Sequence, residues 1–144
     1  MRAVPGSSGP ESCSQSWRLE DVVEPSVQVL VECAADVRRE RVQAGPMARA
    51  LDPGLAMAHD RVCACAERLA VPVSVGLKVT AVPDDGRAWV ETTDPDTSTE
   101  GDEAPGFAAC VGTFDTTFEK FAAGACEGGG KTKYIYVLDV ELSR

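Results

Sequence analysis

Between residues 62 and 142 the chain carries a fixed succession of patterns: a cysteine-bearing helix, a two-stranded hairpin, a second cysteine-bearing helix and one alternating strand. The hairpin is the sharpest of these. Val73, Val75, Leu77, Val79 and Ala81 alternate with Ser74, Gly76, Lys78 and Thr80, the period of two that a half-buried strand requires. Pro83-Asp84-Asp85-Gly86 then supplies a turn, with Gly86 free to take a positive φ, and residues 87–93 return as the second strand. Residues 134–142 alternate again as a third.

Helical spacing flanks the hairpin. Leu55, Ala58, Val62, Cys65 and Leu69 recur at steps of three and four; Asp52 suits the cap, Pro53 the first turn, and Pro72 the end. Cys65 lies on this apolar stripe, while Cys63, about 200° around the helix, points away. A second helix opens at Pro105 with Phe107, Cys110, Val111, Phe114, Phe118 and Phe121 on one face, and Gly124 stops it. A helix after the hairpin carries the chain back across the sheet, so the third strand runs antiparallel to the first. The expected architecture is α+β: two helices packed on one face of a three-stranded antiparallel sheet, order 2-1-3, with the third strand as an edge.

Upstream the periods conflict. Val27, Val29, Val31 and Cys33 alternate like a strand, while Val27, Leu30, Val31, Ala34 and Val37 have helical spacing. The basic run Arg38, Arg39, Arg41 before Gly45 fits a helix C-terminus, where cations meet the negative end of the dipole, and favours an extra N-terminal helix. Residues 1–20, rich in Ser, Gly and Pro, read as a disordered lead-in whose anchor is Cys13 or Trp17. The organisation expected is thus a lead-in over 1–20, a helical segment over 21–50 and the α+β domain over 51–144.

A chain of 144 residues, 44% hydrophobic, buries one modest core rather than two. Its net charge of −9 repels nucleic acid and anionic membranes and leaves a basic partner surface open. No apolar run approaches the roughly 18 residues of a membrane span. Six cysteines, Cys13, Cys33, Cys63, Cys65, Cys110 and Cys126, form an even set, dense for a reducing cytosol. They are compatible with disulfides, with buried thiols, or with metal or catalytic use, and none is spaced C-x-x-C. Residues 1–17 lack the apolar stretch of a secretory signal, so the expectation divides between a cytosolic chain and one whose export signal precedes this sequence.

Several of these residues together carry a resemblance: Cys65 in the first helix, the strand, Asp-Asp-Gly turn and strand of 74–92, Ala109-Cys110-Val111 opening the second helix, and the closing strand 134–142. Over residues 55–142 this pattern resembles the TonB C-terminal-like domain, closest to its AgmX/PglI branch. The resemblance implies a periplasmic or secreted interaction domain that binds an extended protein segment by strand addition. It implies Tyr134, Ile135, Tyr136, Val137, Leu138 and Val140 as the partner-binding edge, and a helix-to-helix disulfide between Cys65 and Cys110. The membrane anchor and Pro-rich spacer of TonB-like energy transducers have no counterpart here, and the Trp-Phe-Pro-like stretch after the second helix is replaced by Glu119-Lys120-Phe121 and a Gly-rich linker.

Sharper chemistry is weaker at every site. Gly128-Gly129-Gly130-Lys131-Thr132 suggests a phosphate loop, but position 125 is Ala and the loop leads from helix to strand, the reverse of what phosphate binding needs. Asp94, Asp96, Ser98 and Glu100 have calcium-loop spacing, but Thr99 replaces the required Gly and Pro105 the bidentate Glu. His59 and Cys63 share a helical face and could ligate zinc in a cytosolic thiol or metal protein, yet no third group orients them. Phe114 and Phe118 could roof a small-ligand pocket, although such stripes more often form core. No catalytic residue, metal site or cofactor is expected, and the function expected is non-enzymatic: extracytoplasmic protein interaction or assembly through an edge strand.

Overall fold

A computed structural model of the chain describes residues 17–19, 28–34, 36–42, 45–68, 73–93, 109–126 and 130–142. Six strands, β1 (Gln28–Glu32), β2 (Val37–Arg41), β3 (Val73–Val82), β4 (Arg87–Thr92), β5 (Phe114–Thr117) and β6 (Lys133–Leu142), and one long helix, α1 (Pro46–Arg68), make up the regular structure of the described residues, with a short helical turn at 109–111. The strands form one sheet in the order β2-β1-β6-β3-β4-β5. Every neighbouring pair is antiparallel.

This corrects the three-stranded sheet under two helices. The three strands read from alternation, β3, β4 and β6, do pair, through Val79↔Val90 and Val79↔Tyr136 among others, but the sheet continues beyond them on both sides. The extra N-terminal helix is a hairpin instead. Val29 and Val31 are fully buried on one face of β1, so β-branched side chains stiff at χ1 satisfy the strand period and the helical alternative is lost. The second helix is reduced, over the described part of its range, to the short helical turn at 109–111: Gly112, at φ 69°, ends it, and Phe114 enters β5 opposite Val90. Phe107 and the proposed start at Pro105 lie outside the described residues, as do residues 1–16 and the acidic loop 94–103.

Helix α1 starts earlier than its cap signal. Arg49 N–H donates to Gly45 C=O at 2.8 Å, and Met47, Ala48, Ala50, Leu51, Leu55, Ala58, Val62 and Cys65 form its buried stripe. Asp52 and Pro53 therefore sit inside the helix. Pro53 has no N–H for the Arg49 carbonyl, a loss of about 3 kcal/mol in an isolated helix. Burial of apolar side chains on both sides of it, about 1.5–3 kcal/mol for each large one, carries the helix through. The Asp52 carboxylate, no longer a cap, holds the chain ahead of β1 instead. Its Oδ1 accepts the Leu19 N–H at 2.6 Å, fixing buried Trp17 and Leu19 against the helix.

The helix lies over β3, β4, β5 and β6. Gly54 sets its approach, since a Cβ there would meet Val79 Cγ1 at 3.0 Å. Leu77, Val79, Ala81, Ala88, Val90, Tyr134, Tyr136 and Leu138 face it and are buried. After β5 the chain crosses beneath the β3–β4 turn to reach β6. Phe118 N–H donates to Gly86 C=O (2.8 Å), Phe121 N–H to Pro83 C=O (3.0 Å), and Thr132 N–H to Asp84 Oδ2 (3.2 Å). Gly86 is obligatory at this crossing, because at φ 64° a Cβ would also lie 2.5 Å from the Phe118 carbonyl oxygen.

Candidate protein-interaction edge

Among the described residues the sheet ends at β2 on one side and at β5 on the other. β5 spans four residues; β2 spans five, Val37-Arg38-Arg39-Glu40-Arg41, and among the described residues its outer side pairs with no strand. Alternation divides its side chains. Arg38 and Glu40 lie opposite Val31 and Val29, on the face that packs the core, whereas Val37, Arg39 and Arg41 point to the face turned away from α1.

Arg38 is tied inward. Its Nε donates to Glu40 Oε1 at 2.6 Å, Nη1 to Asp36 Oδ2 at 3.2 Å, and Nη2 to the Ala125 carbonyl at 2.6 Å. The Glu40 hydrogen bond is the largest influence raising its pKa, so it is a permanent cation spent on internal partners. Beside it the Cys33–Cys126 disulfide (Cα–Cα 5.6 Å) joins the β1–β2 turn to the crossover segment. Edge strand and crossover are thus held as one body. Nearby, Tyr134 is buried, and desolvation, then the Glu40 carboxylate, raise its pKa.

Arg39 and Arg41 differ from Arg38 in having no ion-pair partner among the described residues. Val37, 56% exposed, completes the outward face of β2. Arg39 also begins a row that register carries across all six strands: Arg39, Leu30, Ile135, Thr80, Trp89 and Asp115. The row runs from a cation on one edge to an anion on the other, where Asp115 is already paired with Arg87 at 3.2 Å.

The residues expected to form the partner-binding edge lie elsewhere. Tyr134 and Ile135 in β6 pair with β1 on one side and β3 on the other, and so are interior to the sheet. Tyr136, Leu138 and Val140 are buried on the helix-facing side, and Val137 is exposed on the face turned away from α1; from Tyr136 onward only the β3 side of β6 has a partner strand among the described residues. Cys65 and Cys110, the pair implied by the family resemblance, are joined with S–S 2.08 Å and Cα–Cα 6.0 Å. That bond fastens the C-terminal half of α1 to the segment entering β5.

The other candidate sites are engaged structurally. Cys63 is itself disulfide-bonded and is no thiolate ligand, and His59 stacks edge-on against Trp17 (centroids 5.0 Å) with Nδ1 3.2 Å from Asp60 Oδ1. Among the described residues no group of three or more His, Cys, Asp or Glu could hold a metal ion. Lys131 pairs with Asp85 at 2.9 Å, and the Thr132 hydroxyl donates to Cys126 Sγ at 3.4 Å, so both brace the turn. Gly128, Gly129 and the calcium-spaced acids lie outside the described residues. Phe114 is buried beneath Arg61 (4.3 Å to its ring), and Phe118 packs beside Phe121. An open recess of about 350 Å³ lies next to Phe114, bounded by Arg87, Trp89, Thr113 and Asp115.

No protein-family model, curated protein or solved structure matches this chain. The basic edge was missed in the sequence because its arginines fit a helix C-terminus equally well. The signal that could have found it is the alternation of Val27, Val29 and Val31, which makes 37–41 the returning strand of a hairpin.

Proposed function

We propose that this protein is a non-enzymatic, extracytoplasmic interaction domain that binds an extended protein segment along β2. One observation carries the reading: an edge strand whose outer side pairs with no strand among the described residues is clamped to the body of the protein by the Cys33–Cys126 bond. An edge strand offers a row of backbone donors and acceptors for strand addition. Clamping it reduces the ordering cost of binding, which otherwise consumes much of the interaction energy. The resemblance to the TonB C-terminal-like domain carries the same implication for role.

The disulfides support the compartment in this reading. All five described cysteines are disulfide-bonded, a usage compatible with an oxidising environment and unusual in a mesophilic cytosol. The test is peptide mapping of protein isolated from its native host with thiols alkylated at lysis. Cys33–Cys126 and Cys65–Cys110 recovered oxidised is the expected result. Free thiols at those positions in freshly trapped protein would overturn the extracytoplasmic assignment.

A further inference from the structure

We infer that the segment received by β2 is acidic, with Glu or Asp at alternate positions placed against Arg39 and Arg41. The inference rests on the edge-binding reading above and specifies the chemistry of its partner. Of the three arginines in β2, Arg38 is consumed by Glu40, Asp36 and Ala125, whereas Arg39 and Arg41 share one face and meet no carboxylate among the described residues. Residues two apart on a strand are separated by about 6.8 Å, and an added strand lies about 4.8 Å away. Carboxylates at alternate positions of such a strand therefore fall beside both guanidinium groups. Val37, exposed at the same face, provides an apolar contact in register with them.

Charge magnitudes favour this occupant over two others. The net charge of −9 repels an acidic partner at long range, but at physiological ionic strength that field is screened over about 8 Å, and a strand on β2 senses chiefly Arg39 and Arg41. A second copy of β2 is a poor occupant. Antiparallel self-pairing centred on Arg39 sets the two Arg39 side chains directly opposite, Cβ atoms about 5 Å apart, and like charges so placed are destabilising. Nucleic acid would use the arginines but not the row of backbone donors and acceptors. The arginines thus discourage self-association while leaving the edge open to an anion-bearing chain.

The test uses the full disulfide-bonded chain and four fluorescein-labelled probes followed by anisotropy at about 50 mM salt. These are a nine-residue peptide alternating Glu and Val, its Lys and Val counterpart, the Glu-Val peptide with alternate backbone nitrogens methylated, and a single-stranded oligonucleotide. The Glu-Val peptide should bind, weaken as salt is raised, and lose about tenfold or more in affinity in the Arg39→Glu/Arg41→Glu variant. Arg39→Gln/Arg41→Gln should show a smaller loss and serves if the charge reversal does not fold. Backbone methylation should abolish binding. Equal binding of the Glu and Lys peptides, both abolished by methylation, would overturn the acidic partner and leave edge binding standing. Binding indifferent to methylation, binding of the oligonucleotide with equal affinity, or no binding of any peptide would overturn both.

Discussion

Replacing Cys33 and Cys126 together by Ala separates the β1–β2 hairpin from the crossover segment, and the cost can be worked from the chain lengths that the bond spans. The two cysteines are 93 residues apart in sequence. Taken alone, a loop of that size corresponds to about 4.6 kcal/mol of lost unfolded-state entropy at 25 °C. The Cys65–Cys110 bond lies wholly within this loop and shortens it. Counting these two bonds alone, the arms 33–65 and 110–126 form an effective loop of about 48 residues worth about 4 kcal/mol. For a domain whose whole stability is of order 5–15 kcal/mol, this is a large fraction. Urea denaturation followed by far-ultraviolet circular dichroism should show the midpoint falling by about 2 M, for an m-value near 2 kcal/mol/M. The m-value itself should rise, because the less constrained unfolded chain exposes more surface. A midpoint shift below about 0.3 M with unchanged m would refute the reasoning, since it would mean that the bond constrains nothing in the unfolded chain.

Two further predictions rest on buried polar groups. Asp52→Ala leaves the buried Leu19 N–H without its acceptor, a loss of about 1–3 kcal/mol, and should red-shift Trp17 emission in a Trp89→Phe background; Asp52→Asn, which keeps an acceptor oxygen, should restore most of it, and unchanged emission in Asp52→Ala would show that this contact does not hold the segment. Tyr134, held above its ordinary pKa by burial and then by Glu40, stays protonated in the folded state where the unfolded chain has begun to ionise. Its contribution to stability is therefore complete below about pH 10 and declines as pH rises through the folded value. Phenolate absorbance should show a late-titrating component that Tyr134→Phe removes, and a titration curve whose late component that substitution leaves intact would contradict the reasoning.

How far the sequence disclosed this structure depended on whether one period stood alone. Val73 to Ala81 admits only alternation, and its turn has Gly86 where positive φ is needed, so β3 and β4 were legible. Val27 to Val37 satisfies both periods, and only the tertiary partner Tyr134, opposite Val31, decides for the strand. Asp52-Pro53 imitates a helix start because cap preference and proline placement are local signals. Burial of Met47, Ala48 and Ala50 upstream is not local, and it extends the helix past both. The phenylalanines at 114, 118 and 121 carry helical spacing by coincidence: the first is fixed in a strand, and the backbones of the other two bond the β3–β4 turn. Gly112 and the strand-favouring Thr116-Thr117 were the overlooked counter-signals. The basic edge could be found only once β1 and β2 were known to be paired, because a charge run has no meaning as a recognition surface until its geometry is known.

The position of β6 between β1 and β3 bears on how the protein is made. β1 waits for a neighbour about a hundred residues downstream, and the chain emerges from the ribosome at about 5–20 residues per second. For several seconds of synthesis the residues of two ribbons, the β1–β2 and β3–β4 hairpins, have emerged while the strand that joins them has not. Cys33 and Cys65 are likewise present well before Cys126 and Cys110 can reach them. Insertion of one late strand therefore completes the sheet. A nascent chain stalled before residue 133 would expose both ribbons to mispairing and its early thiols to one another, making this interval the point at which a chaperone or an oxidase has most to protect.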